Sequence, residues 1–277
     1  MTALLLPLLV AAATPAATAP APAAPAPIDY ARMIDEAIDG GRAIQAETML
    51  GQWRAEAQPA DAQPLAIATA RLALAQGRDG DAEAAFAGMS QAGSTDCRVD
   101  EGLGIARLRL GRPQEALAPL QRAVAACAGR WRAWNGLGVA YDDAKSWTAS
   151  AAAYERAFQL TDKPVLLLNN YGMSLMAQGR AEEAAAIFDK ARDMAPDDAK
   201  IITNGDAAYV MSGRDIQRRP TDDADAWAKR LSDAGQVALR IGDVAKGQAY
   251  LSRAMTESER FLPEAAAALA TIGPQKP

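Results

Sequence analysis

The dipeptide Gly-Arg recurs along this chain at a fixed spacing, and that spacing restricts the fold more than any other feature. It recurs at Gly77-Arg78, Gly111-Arg112, Gly179-Arg180 and Gly213-Arg214. The separations are 34, 68 (twice 34) and 34 residues. A fixed period of roughly 20 to 50 residues is typical of arrays in which one small unit is stacked many times. Since each unit buries its apolar face only against its neighbours, the spacing predicts an elongated array with a long curved surface.

Further positions repeat with the same period of 34 residues. We divide the chain into frames that start at Gln63, Cys97, Trp131, Val165 and Ala199. In the first four frames a small residue, a large apolar residue and a Met or Ala follow one another: Ala82, Phe86, Met89; Ala116, Leu120, Ala123; Ser150, Tyr154, Ala157; Ala184, Phe188, Ala191. Their spacings of four and three residues place them on one face of a helix. Gly129-Arg130 is out of register, so the repeat depends on several positions together.

The first half of each frame carries a second helical stripe. One such stripe consists of Trp134, Leu137, Gly138 and Tyr141, and the positions 34 residues later hold Leu168, Tyr171, Gly172 and Leu175. Each unit is therefore predicted to be a helix, a turn and a second helix, with small residues that let the paired helices approach closely. Pro196 ends its unit, because proline cannot continue a helix.

These two patterns together resemble the tetratricopeptide repeat family. The resemblance is carried by Trp134-x-x-Leu137-Gly138-x-x-Tyr141, and by Ala184-x-x-x-Phe188-x-x-Ala191 followed by Pro196. It implies an all-α fold, a right-handed superhelical solenoid of helix-turn-helix units, over residues 28–272. Weaker frames start near Pro27 and Ala228, and residues 259–271 are expected to form a closing helix.

The array is predicted to be broken near residues 213–221. The positions that should hold a small, a large apolar and a small residue hold Arg218, Asp222 and Asp225. Pro220 stops a helix there, and Thr221 is a good start for the next one. The following frame begins 29 residues on instead of 34. We expect one second helix to be missing, with a loop over 216–220 and part of a neighbouring apolar face uncovered, either as a docking site or through local decay of the repeat.

The charge balance argues against nucleic acid as a main partner. The formal net charge is −5 at pH 7, and the isoelectric point is near 5.0. Binding to a phosphate backbone needs a basic face. The one basic cluster, formed by Arg214, Arg218 and Arg219, is too short to supply it.

Residues 1–27 differ in composition from the rest of the chain. Residues 4–10 read Leu-Leu-Leu-Pro-Leu-Leu-Val, three alanines follow, and residues 14–27 are all Ala, Pro or Thr. This pattern is typical of a secretory signal peptide, with a cleavage site at Ala11-x-Ala13, followed by a semi-rigid tether. The apolar run is too short for a membrane span. We expect a periplasmic or secreted protein; the alternative is a cytoplasmic one. Residues 273–277 are interpreted as a tail.

The two cysteines, Cys97 and Cys127, lie at the beginning and near the end of one frame. In an antiparallel helix pair, the start of the first helix lies beside the end of the second. One hypothesis is a disulfide that closes a loop of about 31 residues, worth on the order of 3–4 kcal/mol. Such a bond fits an oxidising compartment. The alternative is two buried free thiols that pack as small apolar groups.

The chain offers few residues for catalysis or metal binding. It contains no histidine, the commonest general base and metal ligand. Two cysteines without histidine cannot form a standard structural zinc site. Adjacent carboxylates such as Glu182-Glu183 are interpreted as solvated charges near helix ends. Gly102-Leu103-Gly104 falls inside a predicted helix, where packing explains the glycines and phosphate binding does not. We predict no enzyme activity, no cofactor and no metal site.

The resemblance to tetratricopeptide repeats implies that the first helix of each unit lines a concave groove through positions off the packing stripe. In this chain those positions are Arg132, Asn135, Val139, Asp142, Asp143, Asn169, Asn170, Met173, Met176, Lys200, Thr203 and Asn204. The groove is expected to change from charged to methionine-rich along its length, with asparagines that hydrogen-bond a peptide backbone. The alternative is that some of these residues pack between units.

The same resemblance implies a protein or peptide ligand in the groove. The predicted function is a non-catalytic interaction scaffold of the bacterial cell envelope, similar to the repeat proteins that accompany pilus or secretion machinery. The alternative is a cytosolic chaperone or regulatory adaptor.

Overall fold

The computed structural model describes residues 28–162 and 164–272, and this part of the chain consists of α-helices without any strand. The helices are α1 (Tyr30–Asp39), α2 (Ala43–Glu56), α3 (Ala62–Ala75), α4 (Asp79–Gln91), α5 (Cys97–Arg109), α6 (Pro113–Ala126), α7 (Trp131–Asp143), α8 (Trp147–Phe158), α9 (Val165–Ala177), α10 (Ala181–Met194), α11 (Ala199–Met211), α12 (Ala224–Arg240), α13 (Val244–Glu257) and α14 (Pro263–Ile272). The signal peptide and tether predicted for residues 1–27, and the tail at 273–277, lie outside the described residues. Among the described residues, no helix is both long enough and apolar enough to cross a membrane.

The helices form a two-layered solenoid. Each helix packs against the next one in the chain, and the odd-numbered helices from α1 to α11 also pack against one another in order. Within the described residues, no such contacts join the even-numbered helices from α2 to α10. The odd-numbered helices are therefore closer together and lie on the concave side of the curved array. The predicted all-α solenoid of helix-turn-helix units is confirmed.

The Gly-Arg dipeptide ends the first helix of a unit and leads into the second. The backbone of Gly111 has a φ of +71°, and the glycines at the same position of three other units have values from +73° to +83°. Glycine adopts this left-handed conformation without the steric cost that other residues incur. The N–H of Arg112 then donates to the carbonyl of Arg107 at 2.8 Å and closes the helix end. In one unit Lys145 takes the glycine position, with a φ of +53°.

Within a unit, a large side chain of the second helix fills the space that a glycine of the first helix leaves open. The pairs are Gly104 with Leu120, Gly138 with Tyr154 and Gly172 with Phe188. A Cβ atom at Gly138 would lie only 2.6 Å from Cε1 of Tyr154, whose side chain is fully buried. Gly102 faces Phe86 of the preceding unit in the same way. The Gly-Leu-Gly run that begins at Gly102 therefore serves helix packing.

We predict that Gly138→Ala destabilises the protein by about 1–3 kcal/mol, because the added methyl group overpacks a buried ring. The matched control is Gly88→Ala in α4, where nothing lies within 4 Å of the added Cβ. There the higher helix propensity of alanine should stabilise the protein by about 0.5–1 kcal/mol. Urea unfolding followed by circular dichroism measures both. Equal effects of the two substitutions would contradict the packing role of Gly138.

A disulfide joins the two helices of the third unit. Cys97 is the first residue of α5, Cys127 follows the last residue of α6, and their Cα atoms are 6.1 Å apart. Of the two hypotheses for these cysteines, the structure contains the bridged form. The bond joins the start of α5 to the end of α6, and this helix pair lies near the middle of the array.

Reduction of this disulfide should lower the free energy of unfolding by about 3–4 kcal/mol, because the unfolded chain regains the entropy of an open loop. Urea midpoints with and without dithiothreitol measure the effect. The double variant Cys97→Ser, Cys127→Ser is the control. Its urea midpoint should equal that of the reduced wild-type protein and should not change when dithiothreitol is added. A wild-type midpoint that does not respond to reductant would show that the bond does not stabilise the protein.

The sixth unit lacks its second helix, and residues 212–223 join α11 directly to α12 as a loop. Ile216 of this loop is buried in the same apolar cluster as Trp227 and Tyr250. The Tyr250 hydroxyl donates to the Asp215 carboxylate at 2.8 Å and holds the loop against α13. The loop therefore covers the part of the apolar face that Trp227 and Tyr250 form.

Candidate binding groove

Four of the predicted groove residues form a continuous row of side-chain amides across α11, α9 and α7. Nδ2 of Asn204 donates to Oδ1 of Asn169 at 2.8 Å. Nδ2 of Asn169 donates to Oδ1 of Asn170 at 3.2 Å, and Nδ2 of Asn170 donates to Oδ1 of Asn135 at 3.0 Å. These three helices lie side by side on the concave face. The amide row therefore runs across the groove floor from one unit to the next.

The amide row leaves polar atoms of the half-buried Asn169, Asn170 and Asn204 free for a ligand, whereas Asn135 is buried. A side-chain amide has two donor hydrogens and an oxygen with two lone pairs. The row uses one donor hydrogen of Asn204, Asn169 and Asn170, and one lone pair of each acceptor. A pre-ordered line of N–H and C=O groups matches the backbone of an extended peptide.

Asp142 is among the predicted groove residues, but its carboxylate braces neighbouring helices. It accepts hydrogen bonds from the hydroxyl groups of Ser150, Tyr154 and Ser174, the last two at 2.8 and 2.7 Å. Burial, together with the Asp142 carboxylate, raises the pKa of the Tyr154 hydroxyl above its usual range, so the tyrosine remains a donor. Asp142 thus ties α7 to α8 and α9, and its predicted contact with a ligand stays a prediction.

Arg132 fills the N-terminal end of the groove instead of presenting a free charge there. Its Nη2 lies 2.5 Å from Oδ1 of Asp39 at the end of α1. Its guanidinium also stacks over the ring of Trp131 at 4.3 Å. Arg71 reaches the same Asp39 carboxylate at 3.6 Å. These ion pairs join the first two units to the fourth across the groove, so the charges of Arg132, Arg71 and Asp39 are already paired.

The other predicted residues differ in how available they are. Asp143 is exposed and accepts a hydrogen bond from Gln114 at 2.6 Å, and Val139 is half-buried. Lys200 and Thr203 are exposed on α11, and their side chains have no partner in the described chain. Within the described ranges, no group of three or more Cys, Asp or Glu side chains is arranged to hold a metal ion.

The C-terminal half of the groove contains a pocket of about 550 Å³ between α9, α11 and α12. Its apolar lining consists of Met173, Met176, Ala207, Met211, Ala234, Val237 and Ile241. Met173 is 44% exposed and Ile241 is 48% exposed, so both are accessible from the groove. Asn204 also lines the pocket, and the amide row therefore ends there. The α12 wall was not predictable from the repeat, because the missing helix moves α12 out of the 34-residue frame.

A buried ion cluster stands where the regular units have glycine. Asp206 lies 34 residues after Gly172, in the position of the packing glycines. Sixteen residues further on, where regular units place a large apolar side chain, lies Asp222. Arg230 of α12 joins the two carboxylates, with Nε 2.7 Å from Oδ2 of Asp206 and Nη1 2.5 Å from Oδ2 of Asp222.

The ion cluster is almost closed to water. The side chains of Arg230, Asp206 and Asp222 are 10%, 5% and 6% exposed. Burial alone would lower the pKa of Arg230, but its bonds to the two carboxylates outweigh burial and raise the pKa, so the guanidinium stays charged. Arg192 of α10 binds Asp206 as well, at 2.6 Å. The cluster therefore holds α10, α11, the loop and α12 together in the absence of the second helix.

Arg230→Met should destabilise the protein by about 3–5 kcal/mol, because it removes the closest cation of the buried Asp222 carboxylate and leaves Asp206 with Arg192 alone. The neighbouring substitution Lys229→Met is the control. Lys229 is exposed and pairs with Asp233 at 2.9 Å, and loss of such a surface pair costs less than about 1 kcal/mol. Chemical denaturation of both variants measures the difference. If Arg230→Met costs no more than Lys229→Met, the ion cluster does not hold the broken unit together.

The comparisons with known proteins agree with this architecture. A family model for the tetratricopeptide repeat matches residues 101–164 and 163–199. No curated protein matches the chain in sequence. Three solved structures share the fold over most of the chain. The APC/C hetero-tetramer Cut9–Hcn1 has a TM-score of 0.62 and 15% identity over 90% of this chain and 50% of that one, and NprR in complex with its cognate peptide NprX has a TM-score of 0.56 and 10% identity over 88% of this chain and 81% of that one. PilW, described as a widely conserved type IV pilus biogenesis factor, has a TM-score of 0.51 and 13% identity over 87% of this chain and 96% of that one.

The chain is thus a helical repeat solenoid. The resemblance to the tetratricopeptide repeat family is confirmed by the family model, which matches residues 101–199.

Proposed function

We propose that this protein is a non-catalytic scaffold that binds an extended segment of a partner protein in the C-terminal half of its groove. The observation that carries the proposal is the amide row from Asn135 to Asn204, which leads into the pocket beside Met173. The amides supply donors and acceptors for a peptide backbone, and flexible methionines accommodate apolar side chains. The structure of NprR with its cognate peptide supports peptide binding by a protein of this fold. The net charge of −5 favours a protein partner over nucleic acid.

We further propose that the protein acts in the bacterial cell envelope, in the assembly of a pilus or a secretion machine. The disulfide between Cys97 and Cys127 is suited to an oxidising compartment. The apolar run at residues 4–10, followed by small residues, is typical of an exported protein. The described role of PilW in type IV pilus biogenesis supports the same assignment.

The second candidate is a cytosolic chaperone or regulatory adaptor. The observation that favours it is the lack of any Lys or Arg before the apolar run. Intact mass of the protein, alkylated as its native cells are opened, separates the two candidates. A shortened N-terminus with unmodified cysteines supports the envelope, whereas retained residues 1–27 with two alkylated cysteines support the cytosol.

In-cell crosslinking followed by mass spectrometry should capture one dominant partner protein. Met173→Arg should reduce this capture about tenfold or more, because it places a charge on the apolar side of the binding surface. Met194→Arg is the matched control, since Met194 is also a methionine, 51% exposed, but ends the outer helix α10. Capture that survives Met173→Arg, or falls equally with both variants, would contradict binding in the groove.

A further inference from the structure

We propose that the pocket between α9, α11 and α12 recognises a short peptide segment in which an Asp or Glu lies within three residues of a large aliphatic side chain, and that Arg240 binds this carboxylate. The inference rests on the proposed function and adds the chemistry of the partner segment. Its two parts, the apolar anchor and the acidic residue, come from different features of the pocket.

The apolar anchor follows from the shape and lining of the pocket. Its volume of about 550 Å³ lies within the roughly 300–1,000 Å³ that ligand pockets occupy. Ala207 occupies the repeat position of Met173, and its small side chain leaves the space in front of α11 open. Three of the nine methionines of the chain surround this space: Met173, Met176 and Met211. Unbranched thioether side chains adjust to an aliphatic group of irregular shape.

The carboxylates at the pocket are already neutralised. Asp206 is bound by Arg192 at 2.6 Å and by Arg230 at 2.7 Å. Asp233 is bound by Lys229 at 2.9 Å. A cationic group on the ligand would have to displace one of these ion pairs. The pocket therefore does not favour a basic peptide.

The one cation at the pocket that lacks a counter-ion within the described residues is Arg240. It is the last residue of α12, it is exposed, and its guanidinium has neither an ion pair nor a hydrogen bond in the part of the chain that the structure describes. A guanidinium carries five N–H donors in a planar array that matches a carboxylate. An acidic residue next to the apolar anchor would therefore find a free partner.

Asn204 sets the path of the bound segment. It lines the pocket together with Arg240, and its side-chain amide begins the row that crosses to Asn135. A backbone laid along the amide row would enter the pocket at α11 and reach α12 beyond it. The acidic residue is accordingly placed at the α12 end of the segment, on the far side of the apolar anchor from the amide row.

Selection of phage-displayed random seven-residue peptides on the wild-type protein tests the inference. The enriched peptides should carry Leu, Ile, Val or Met with an Asp or Glu within three residues on either side. Selection on Arg240→Glu should keep the apolar residue and lose the acidic one. Selection on Ala207→Phe, which fills the pocket with a side chain, should enrich no common sequence. Met173→Asp provides a second pocket variant at an exposed site, should Ala207→Phe disturb the fold.

An enriched peptide, labelled with a dye, then gives the affinity by fluorescence anisotropy. Arg240→Glu should weaken binding about tenfold or more, because a charge-assisted pair becomes a repulsion. Arg156→Glu on the outer helix α8 is the matched control, since it changes the net charge equally and, among the described residues, the Arg156 side chain bonds only to Gln159. The affinity of Arg156→Glu for the peptide should stay within twofold of the wild-type affinity.

Enriched peptides without an acidic residue, or equal affinity of Arg240→Glu and wild type, would overturn the inference. So would the absence of any enriched sequence. These results would not contradict the proposed function. Crosslinking to a partner that depends on Met173 tests that function separately and would still establish binding in the groove.

Discussion

The central units depend on a contact between a large side chain of the second helix and a glycine of the first helix, which recurs every 34 residues at Gly104, Gly138 and Gly172. It lets the paired helices approach so closely that Tyr154 and Phe188 are fully buried between them. The first helices stack side by side along the array, whereas the second helices do not. That asymmetry curves the array and gives it a continuous concave face. The amide row exists because asparagines at successive repeat positions are brought together on this face.

The sixth unit departs from this rule, and the pocket arises there. Asp206 takes the glycine position, and without a second helix there is no large apolar side chain for it to face. Arg230 fills the space and connects Asp206 to Asp222. Replacing an apolar contact with a buried ion pair seldom increases stability. It does allow α12 to follow α11 directly and to supply the far wall of the pocket. Proteins that break their own local rules commonly do so at functional sites.

Local features of the structure could be predicted from the sequence, and features that depend on distant residues could not. The period of 34 residues predicts the helix-turn-helix units and places the asparagines on the first helices. The structural role of Asp142 could not be predicted from this period, because one of its three hydroxyl donors, Ser174, comes from the next unit. The pair between Arg132 and Asp39 joins residues 93 positions apart, which no repeat pattern relates. Ile216 is a single apolar residue in a polar loop, so no hydrophobic periodicity in the sequence predicts its burial.

The most direct test of the account is a methyl NMR titration of protein labelled at its nine methionines. The titrant is a peptide that the wild-type protein enriches. If the partner segment lies along the amide row and enters the pocket, the methyl signals of Met173, Met176 and Met211 shift on binding. The signals of Met33, Met49 and Met89, in the first two units, remain in place. Shifts confined to the first two units, or none at saturating peptide, would contradict binding in the C-terminal half of the groove.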